Sequence, residues 1–241
     1  MYDFQSFLMD KIIIIPAYNE EKNLEGVLRS IKEEAPDFDV VVVNDGSTDR
    51  TSETARKFDF VKVIDLLENI GIGGAVQTGF LYSSGLPYQL AVQVDGDGQH
   101  KPAEIRKIIK PILSGEADVV IGSRFVEKAR FRSSLFRRAG IKMFQVINAA
   151  LLGERITDST SGFRAYNRTA IEVLSRVYPD DYPEPEAIYI LKKRGLRIKE
   201  VAVEMETRAG GKSSITFWHS LYYMVKVCLA IFVLLLRKED R

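Results

Sequence analysis

The sequence predicts an α/β fold: one doubly wound, mostly parallel sheet with helices on both faces. Short continuous apolar runs rich in Val and Ile recur along the first half of the chain, each stopped by Pro, Asn, Asp or Gly. Longer segments with apolar residues at helical spacing separate them. Strands apolar on both faces belong to a sheet covered on both sides, and alternating strands and helices join parallel strands. The polar clusters best able to carry chemistry fall at the strand exits, which is where such sheets bind ligands.

Residues 11–15, ended by Pro16, read as the first strand. In 20–34, Leu24, Val27, Leu28 and Ile31 mark one face of a helix. The four valines 40–43 form a second strand, stopped by Asn44-Asp45-Gly46, after which Ser47 or Asp49 can cap a helix running to about Phe58. Residues 61–66 give a third strand, 74–83 a third helix and 90–94 a fourth strand. Residues 102–113 are a helix with Pro102 near its first position, and 118–121 a fifth strand. A later helix ends near Gly153, and a polar loop then leads into a short strand.

With 241 residues and 46% hydrophobic content, the chain can bury a substantial core. A net charge of +1 provides no global basic field, so a nucleic-acid partner is not expected. The single cysteine, Cys228, excludes an intramolecular disulfide and fits a reducing compartment. Residues 1–11 lack a basic segment followed by an apolar one, so no signal peptide is expected there. No internal repeat or low-complexity linker is seen.

The most informative stretch is Asp95-Gly96-Asp97-Gly98-Gln99-His100, directly after the fourth strand. Asp95, Asp97 and the Gln99 carbonyl are hard oxygen donors, which suit Mg²⁺ or Mn²⁺ better than zinc. A cation held this way keeps open positions for phosphates, which points to a nucleotide or nucleotide-sugar. A lone Asp-x-Asp is as readily a solvated turn. Here it converges with Tyr18-Asn19-Glu20 and Asp45 at neighbouring strand ends. Tyr18 can stack on a base, and Asp45 can accept from a base N–H or a ribose hydroxyl; as turn residues, both would need no ligand. Asn69-Ile70-Gly71-Ile72-Gly73-Gly74 looks like a phosphate loop. Val76 breaks the dinucleotide fingerprint, so the glycines are assigned to letting backbone pass close to a nucleotide.

Further along, Arg124, Lys128, Arg130, Arg132, Arg137, Arg138 and Lys142 lie within nineteen positions that contain a single acid, Glu127. Such a run is either a solvated face or a site for an anionic acceptor or membrane surface. The loop 158–164 (Asp-Ser-Thr-Ser-Gly-Phe-Arg) concentrates hydroxyls, an acid and an arginine, more as a site than as packing. Arg208-Ala-Gly-Gly-Lys212-Ser-Ser can close over a diphosphate. Residues 218–236 would be about 28 Å long as a helix at roughly 1.5 Å per residue. The last ten are entirely apolar, followed by Arg237-Lys238, whereas His219, Ser220 and Lys226 interrupt the first half. Membrane association is the favoured reading; spanning, lying in the interface and pairing with a small membrane protein all stay open.

Together these pieces resemble the inverting family 2 glycosyltransferases of GT-A fold, and within them the dolichyl- or polyprenyl-phosphate sugar synthases. The matching segments are 15–21 (Ile-Pro-Ala-Tyr-Asn-Glu-Glu), 43–49 (Val-Asn-Asp-Gly-Ser-Thr-Asp), 69–75, 95–100, 122–124 (Gly-Ser-Arg), 160–164 (Thr-Ser-Gly-Phe-Arg) and 208–214, in the family's order. The matching segments cover about residues 11 to 214, so a catalytic domain is expected over 1–214, with the apolar C-terminal segment, 215–241, as a membrane-associated helix at the cytoplasmic face of a membrane. The resemblance implies that Pro16, Tyr18, Glu20 and Asp45 contact the nucleoside, with Gly73, Asp95 and Lys212 completing the donor site. Asp95, Asp97 and Gln99 would surround the metal. Arg124 and one of Arg137 or Arg138 would hold the acceptor phosphate, and Arg208 and Lys212 the donor phosphates. Asp97, Arg124, Asp158 and Arg208 are the catalytic candidates. Two departures are visible: Gly96 stands where Ala is commoner, and the late loop reads Gly-Lys-Ser-Ser rather than Gly-x-Ser-Lys.

A phosphate monoester is largely dianionic near neutral pH, so it attacks an anomeric carbon without a general base. The expected function is therefore transfer of a sugar from a UDP- or GDP-sugar to polyprenyl phosphate, with inversion. Two alternatives remain. A saccharide-hydroxyl acceptor would need a base such as Asp158 or Glu186. A non-catalytic nucleotide-sugar-binding accessory protein would have no need of the intact Asp95, Asp97 and Gln99.

Overall fold

The computed structural model describes residues 9–126, 156–179 and 183–206. A seven-stranded sheet forms the middle layer. Its strands are β1 (Lys11–Ala17), β2 (Asp39–Asn44), β3 (Val61–Asp65), β4 (Leu90–Gln93), β5 (Val119–Ser123), β6 (Arg164–Asn167) and β7 (Ile198–Ala202), in the order β3-β2-β1-β4-β6-β5-β7. Strands β1 to β4 run parallel, as do β5 and β7, whereas β6 lies antiparallel between β4 and β5. The expected mostly parallel α/β sheet is present. The antiparallel insertion of β6 and the edge strand β7 are additions to the sequence reading.

Alternation of side chains explains why the central strands are apolar throughout. Ile13 and Ile15 of β1 and Val40 and Val42 of β2 face one layer, with Leu24, Val27, Leu28 and Ile31 of α1 (Leu24–Glu34) and Ile105, Ile108 and Ile109 of α4 (Ile105–Leu113). Ile12, Ile14, Val41 and Val43 face the other, against Ala75, Val76 and Phe80 of α3 (Gly71–Ser84). Ile171 and Leu174 of α5 (Arg168–Arg176) and Ile188 and Leu191 of α6 (Pro183–Lys193) complete that layer. Each buried side chain of this size contributes about 1.5–3 kcal/mol relative to exposure.

Helix limits differ from the periodicity in instructive places. Helix α1 begins at Leu24 rather than near residue 20; residues 21–23 form a turn in which the Asn23 and Leu24 N–H groups donate to the Glu20 carbonyl. Helix α2 is only Thr51–Arg56; of the two expected caps, Asp49 Oδ1 accepts from the Thr51 backbone N–H at 3.0 Å, while Ser47 Oγ accepts from Asn19 N–H. The 102–113 segment starts as a 3₁₀ turn, Pro102–Glu104, before α4.

One ion cluster pins the far end of this layer. Asp37 accepts from Lys11 Nζ on β1 at 2.5 Å and from the Arg106 guanidinium on α4. Partial burial works against the charge, but hydrogen bonds from Arg106 and Lys11 overcome it and hold the Asp37 carboxyl down to about 2. A depressed carboxyl stabilises the fold above its ordinary value of 3.8 and loses that contribution as pH falls toward about 2. Because the pair is partly exposed, Asp37→Asn should lower stability at neutral pH by only about 1 kcal/mol. Urea unfolding at pH 7 and again near pH 2 should show the difference from wild type shrinking at the acid end.

Candidate active site

Connections from β1 lead outward through β2 to β3, and β4 lies on β1's other side, so the chain changes winding direction between β1 and β4. At such a switch point the loops leaving two adjacent parallel strands diverge and open a crevice. A cleft of about 280 Å³ lies there. Pro16, Tyr18 and Glu20 line it from β1, Asp45 from β2, Gly71 and Ile72 from α3, and Asp95 and Asp97 from β4. Five residues of the expected nucleotide-binding set thus meet in one cavity, while Gly73 is buried inside the first turn of α3. The glycines 71, 73 and 74 open a helix rather than forming a loop.

Two loops build the end of the cleft near Tyr18 and Asp45 by zipping together. Asn19 N–H donates to Ser47 Oγ (3.0 Å), and Asn19 Oδ1 accepts from the Thr48 N–H (2.9 Å). Glu20 N–H donates to Thr51 Oγ1 (2.8 Å) and Glu21 N–H to Asp49 Oδ2 (3.2 Å). The left-handed turn at Asn19 is what points successive donors at the neighbouring loop; asparagine tolerates it better than most residues. Asp45 is buried, and its two carboxylate oxygens accept from the Ile70 and Gly71 N–H groups at 2.8 and 3.0 Å. It therefore fixes the start of α3 beside the cleft. Gly46 next to it has φ +63°, and a Cβ there would lie 2.5 Å from the Glu68 carbonyl carbon.

The acidic end is held with equal care. Asp97 Oδ1 accepts from Gln99 N–H at 3.0 Å, closing a tight turn through Gly98, φ 79°. His100 is buried, stacks on Phe163 with centroids 5.0 Å apart, and its Nδ1 accepts from the Asp95 N–H at 3.0 Å. Burial pushes the His100 imidazole down to about 4, so it stays neutral and can accept that bond. Burial, and next the Asp97 carboxylate, push the Asp95 carboxyl up to about 7, with Glu20 adding in the same direction. Gly162 allows the next loop to approach Asp95; a Cβ there would stand 3.0 Å from Asp95 Oδ1.

Carboxylates crowded at the floor of a cleft oppose one another's ionisation, and a divalent cation relieves that opposition. Asp95, Asp97 and Gln99 supply oxygen donors only, which fits Mg²⁺ or Mn²⁺. Among the described residues no group of three His, Cys, Asp or Glu forms a metal cage. Of Asp95, Asp97 and Gln99, the first two line the cleft.

Beyond β5, Arg124 and Asp158 form a two-pronged ion pair: Arg124 Nε to Asp158 Oδ2 and Nη2 to Oδ1, both 2.7 Å. The Asp158 side chain is fully buried, and its Oδ2 also accepts from the Arg124 N–H at 3.1 Å. Burial disfavours the Arg124 charge, but Asp158 and, more weakly, Asp95 raise its pKa. Arg164, expected among site-forming loop residues, is instead wholly buried and laces three backbone carbonyls together. Glu186 lies in the first turn of α6. Arg137, Arg138, Arg208, Lys212 and the apolar segment 218–236 fall outside the described residues. Sequence reading missed Glu200, and it gave Asn19 and His100 no role of their own although both lie in segments it singled out. Asn19 alone left a local signal, a residue tolerant of the left-handed region immediately after a strand.

Comparisons agree with this architecture. The model of the glycosyl transferase family 2 matches residues 12–175. A UDP-N-acetylglucosamine–dolichyl-phosphate N-acetylglucosaminyltransferase of Methanococcus voltae is 34% identical over 218 residues, covering 82% of this chain and 86% of that one. A polyprenol monophosphomannose synthase of Mycolicibacterium smegmatis is also 34% identical, over 167 residues, covering 67% of this chain and 63% of that protein. In fold, the chain is similar to the glucosyl-3-phosphoglycerate synthase of Mycobacterium tuberculosis, solved with Mn²⁺, UDP and phosphoglyceric acid. The TM-score is 0.69 at 19% identity, with 92% of this chain and 78% of that chain covered. A switch-point cleft floored by Asp95 and Asp97, and a family match running through both, lead to one conclusion: this chain is a glycosyltransferase belonging to family 2.

Proposed function

We propose that the protein transfers a sugar from a UDP- or GDP-sugar to a polyprenyl phosphate, with inversion at the anomeric carbon. The observation that carries this reading is a fixed cation, Arg124, forked onto buried Asp158 of the loop whose Gly162 abuts the Asp95 carboxylate. Two phosphate-bearing reactants repel each other, and an arginine held by a buried carboxylate is organised to receive the second. The named relatives act on dolichyl phosphate or make a polyprenol monophosphomannose, which supports the same acceptor class.

Pro16, Tyr18, Glu20 and Asp45 would hold the nucleoside against the zipped loops. Asp95, Asp97 and Gln99 would hold the Mg²⁺ or Mn²⁺, which when bound supplies positive charge to the donor diphosphate as it leaves. Arg208 and Lys212 would add cations on that side, and Arg137 or Arg138 would join Arg124 on the acceptor. Positioning and charge compensation then do most of the catalytic work. A phosphate acceptor needs no base. A hydroxyl acceptor would, and Asp158 is poorly placed for that role, since both its oxygens are engaged by Arg124. The apolar segment 218–236 supports work at a membrane surface, with the cytoplasmic face as the expected side. Among the described residues no helix is long and apolar enough to cross a membrane.

The deciding experiment offers the protein radiolabelled UDP- and GDP-sugars, Mn²⁺ or Mg²⁺, and polyprenyl phosphate in detergent. Label from one donor should enter the organic phase, identifying base and sugar together. Donor hydrolysis with no lipid product would favour a hydroxyl acceptor, and no turnover with any donor would favour a binding-only protein.

A further inference from the structure

Outside the cleft, one carboxylate is engaged in a way that packing alone does not require. Glu200 sits on β7, directly across the sheet from Ile121 of β5. Its Oε2 accepts from the Thr157 backbone N–H at 2.7 Å, and its Oε1 from the Asp158 N–H at 2.7 Å. The Thr157 hydroxyl is within 3.0 Å of Oε1 and 2.9 Å of Oε2. That same hydroxyl is 3.0 Å from Ser123 Oγ, which in turn accepts from the Phe125 N–H at 3.2 Å. Glu200 thus holds both backbone donors that immediately precede the Asp158 side chain, while the Ser123 link holds the chain on either side of Arg124.

A carboxylate receiving two successive backbone N–H groups fixes a peptide plane more firmly than a neutral acceptor does, because charge-assisted hydrogen bonds are roughly twice as strong. The peptide so fixed carries the residue that forks onto Arg124. The geometry points to Glu200 as a positioning residue for acceptor binding: it sets Asp158, and through Asp158 it aims Arg124 at the acceptor phosphate. This rests on the proposed role of Arg124. Glu200 touches neither substrate, and its effect should therefore be confined to the acceptor side. Asp45 and Tyr18 hang from other strands and should not respond, and Asp95 and Asp97 keep their own anchors in the His100 ring and the Gln99 N–H.

The test measures transfer to polyprenyl phosphate by wild type, Glu200→Gln and Glu200→Ala, with melting temperature and UDP affinity recorded alongside. Gln keeps one acceptor oxygen, so the acceptor KM should rise about tenfold for Gln and further for Ala, with donor KM and UDP affinity within twofold of wild type. In an Arg124→Lys background, which has already lost the two-pronged contact, Glu200→Gln should add less than threefold, because residues acting through one another are not additive. An unchanged acceptor KM overturns the inference, as does an equal rise in both KM values with a fall in melting temperature, or full additivity with Arg124→Lys. Should Glu200→Ala fail to fold, Glu200→Gln carries the same outcomes. Wild type that transfers while Glu200→Gln matches it sinks this inference alone; wild type that never transfers to polyprenyl phosphate sinks it together with the proposed function.

Discussion

Asp97→Asn should reduce sugar transfer by about a thousandfold or more, the equivalent of roughly 4 kcal/mol of transition-state stabilisation. Asn is the discriminating substitution because it separates two roles. Its side-chain oxygen can still accept from the Gln99 N–H, as Asp97 Oδ1 does at 3.0 Å, so the turn through Gly98 should survive. What disappears is a negative charge facing the cleft. Calorimetric titration with Mn²⁺ should show correspondingly weakened binding, with the melting temperature of the metal-free protein unchanged or raised. The rise would come from Asp95: after burial itself, Asp97 is the largest influence pushing that carboxyl up to about 7, and removing it relieves the opposition. Asp97→Ala should lose activity equally but also loosen the turn. If Asp97→Asn transferred sugar at near the wild-type rate, the metal reading of this cleft would be wrong.

The cleft itself was legible in the sequence because it is built from short segments at strand exits. Asp95 and Asp97 follow an apolar run that can only be a buried strand, and Pro16 to Glu20 and Asp45 follow two more. In a parallel sheet those exits lie at one edge, so the convergence followed from the order of elements. What each residue does there was less legible. Asp45 was expected to face a ligand, and it does line the cleft, yet both its oxygens also hold the start of a helix 25 residues later. Nothing local announces such a partner.

The Arg124–Asp158 side was less legible still. Arg124 and Asp158 pair across 34 residues, and Asp158 and Glu200 across 42. These pairings depend on β6 entering the sheet antiparallel between β4 and β5, which no periodicity reveals. Strand β7 was missed for a related reason. It is an edge strand of sequence Ile-Lys-Glu-Val-Ala, where Lys199 pairs with Glu116 at the surface and Glu200 turns to the 157–158 loop. A half-exposed strand carrying two charges lacks the apolar continuity that made β1, β2 and β4 readable.

Arg164 is where the two levels of reading part most clearly, and it carries the largest stability effect expected of any single substitution here. An arginine in a loop of Ser, Thr and Gly reads as a ligand-binding residue; the fold buries it completely. Its Nε donates to the Ser161 carbonyl at 2.7 Å, Nη2 to the Ser159 carbonyl at 2.8 Å, and Nη1 to the Glu184 carbonyl at 2.8 Å. One side chain thereby ties the loop bearing Asp158 and Gly162 to the first turn of α6. Arg164→Met fills much of the volume but leaves three carbonyls without those donors, each costing about 1–3 kcal/mol when buried. Partial relaxation should bring the total to about 3–5 kcal/mol, read as a shift in the urea midpoint. Arg164→Lys, able to reach only part of that set, should fall between the two. Activity should decline in Lys even where the protein remains folded, because Gly162 abuts the Asp95 carboxylate and Asp158 holds Arg124. A loss below 1 kcal/mol for Met would mean that water reaches those carbonyls and that the loop is held by something other than its arginine.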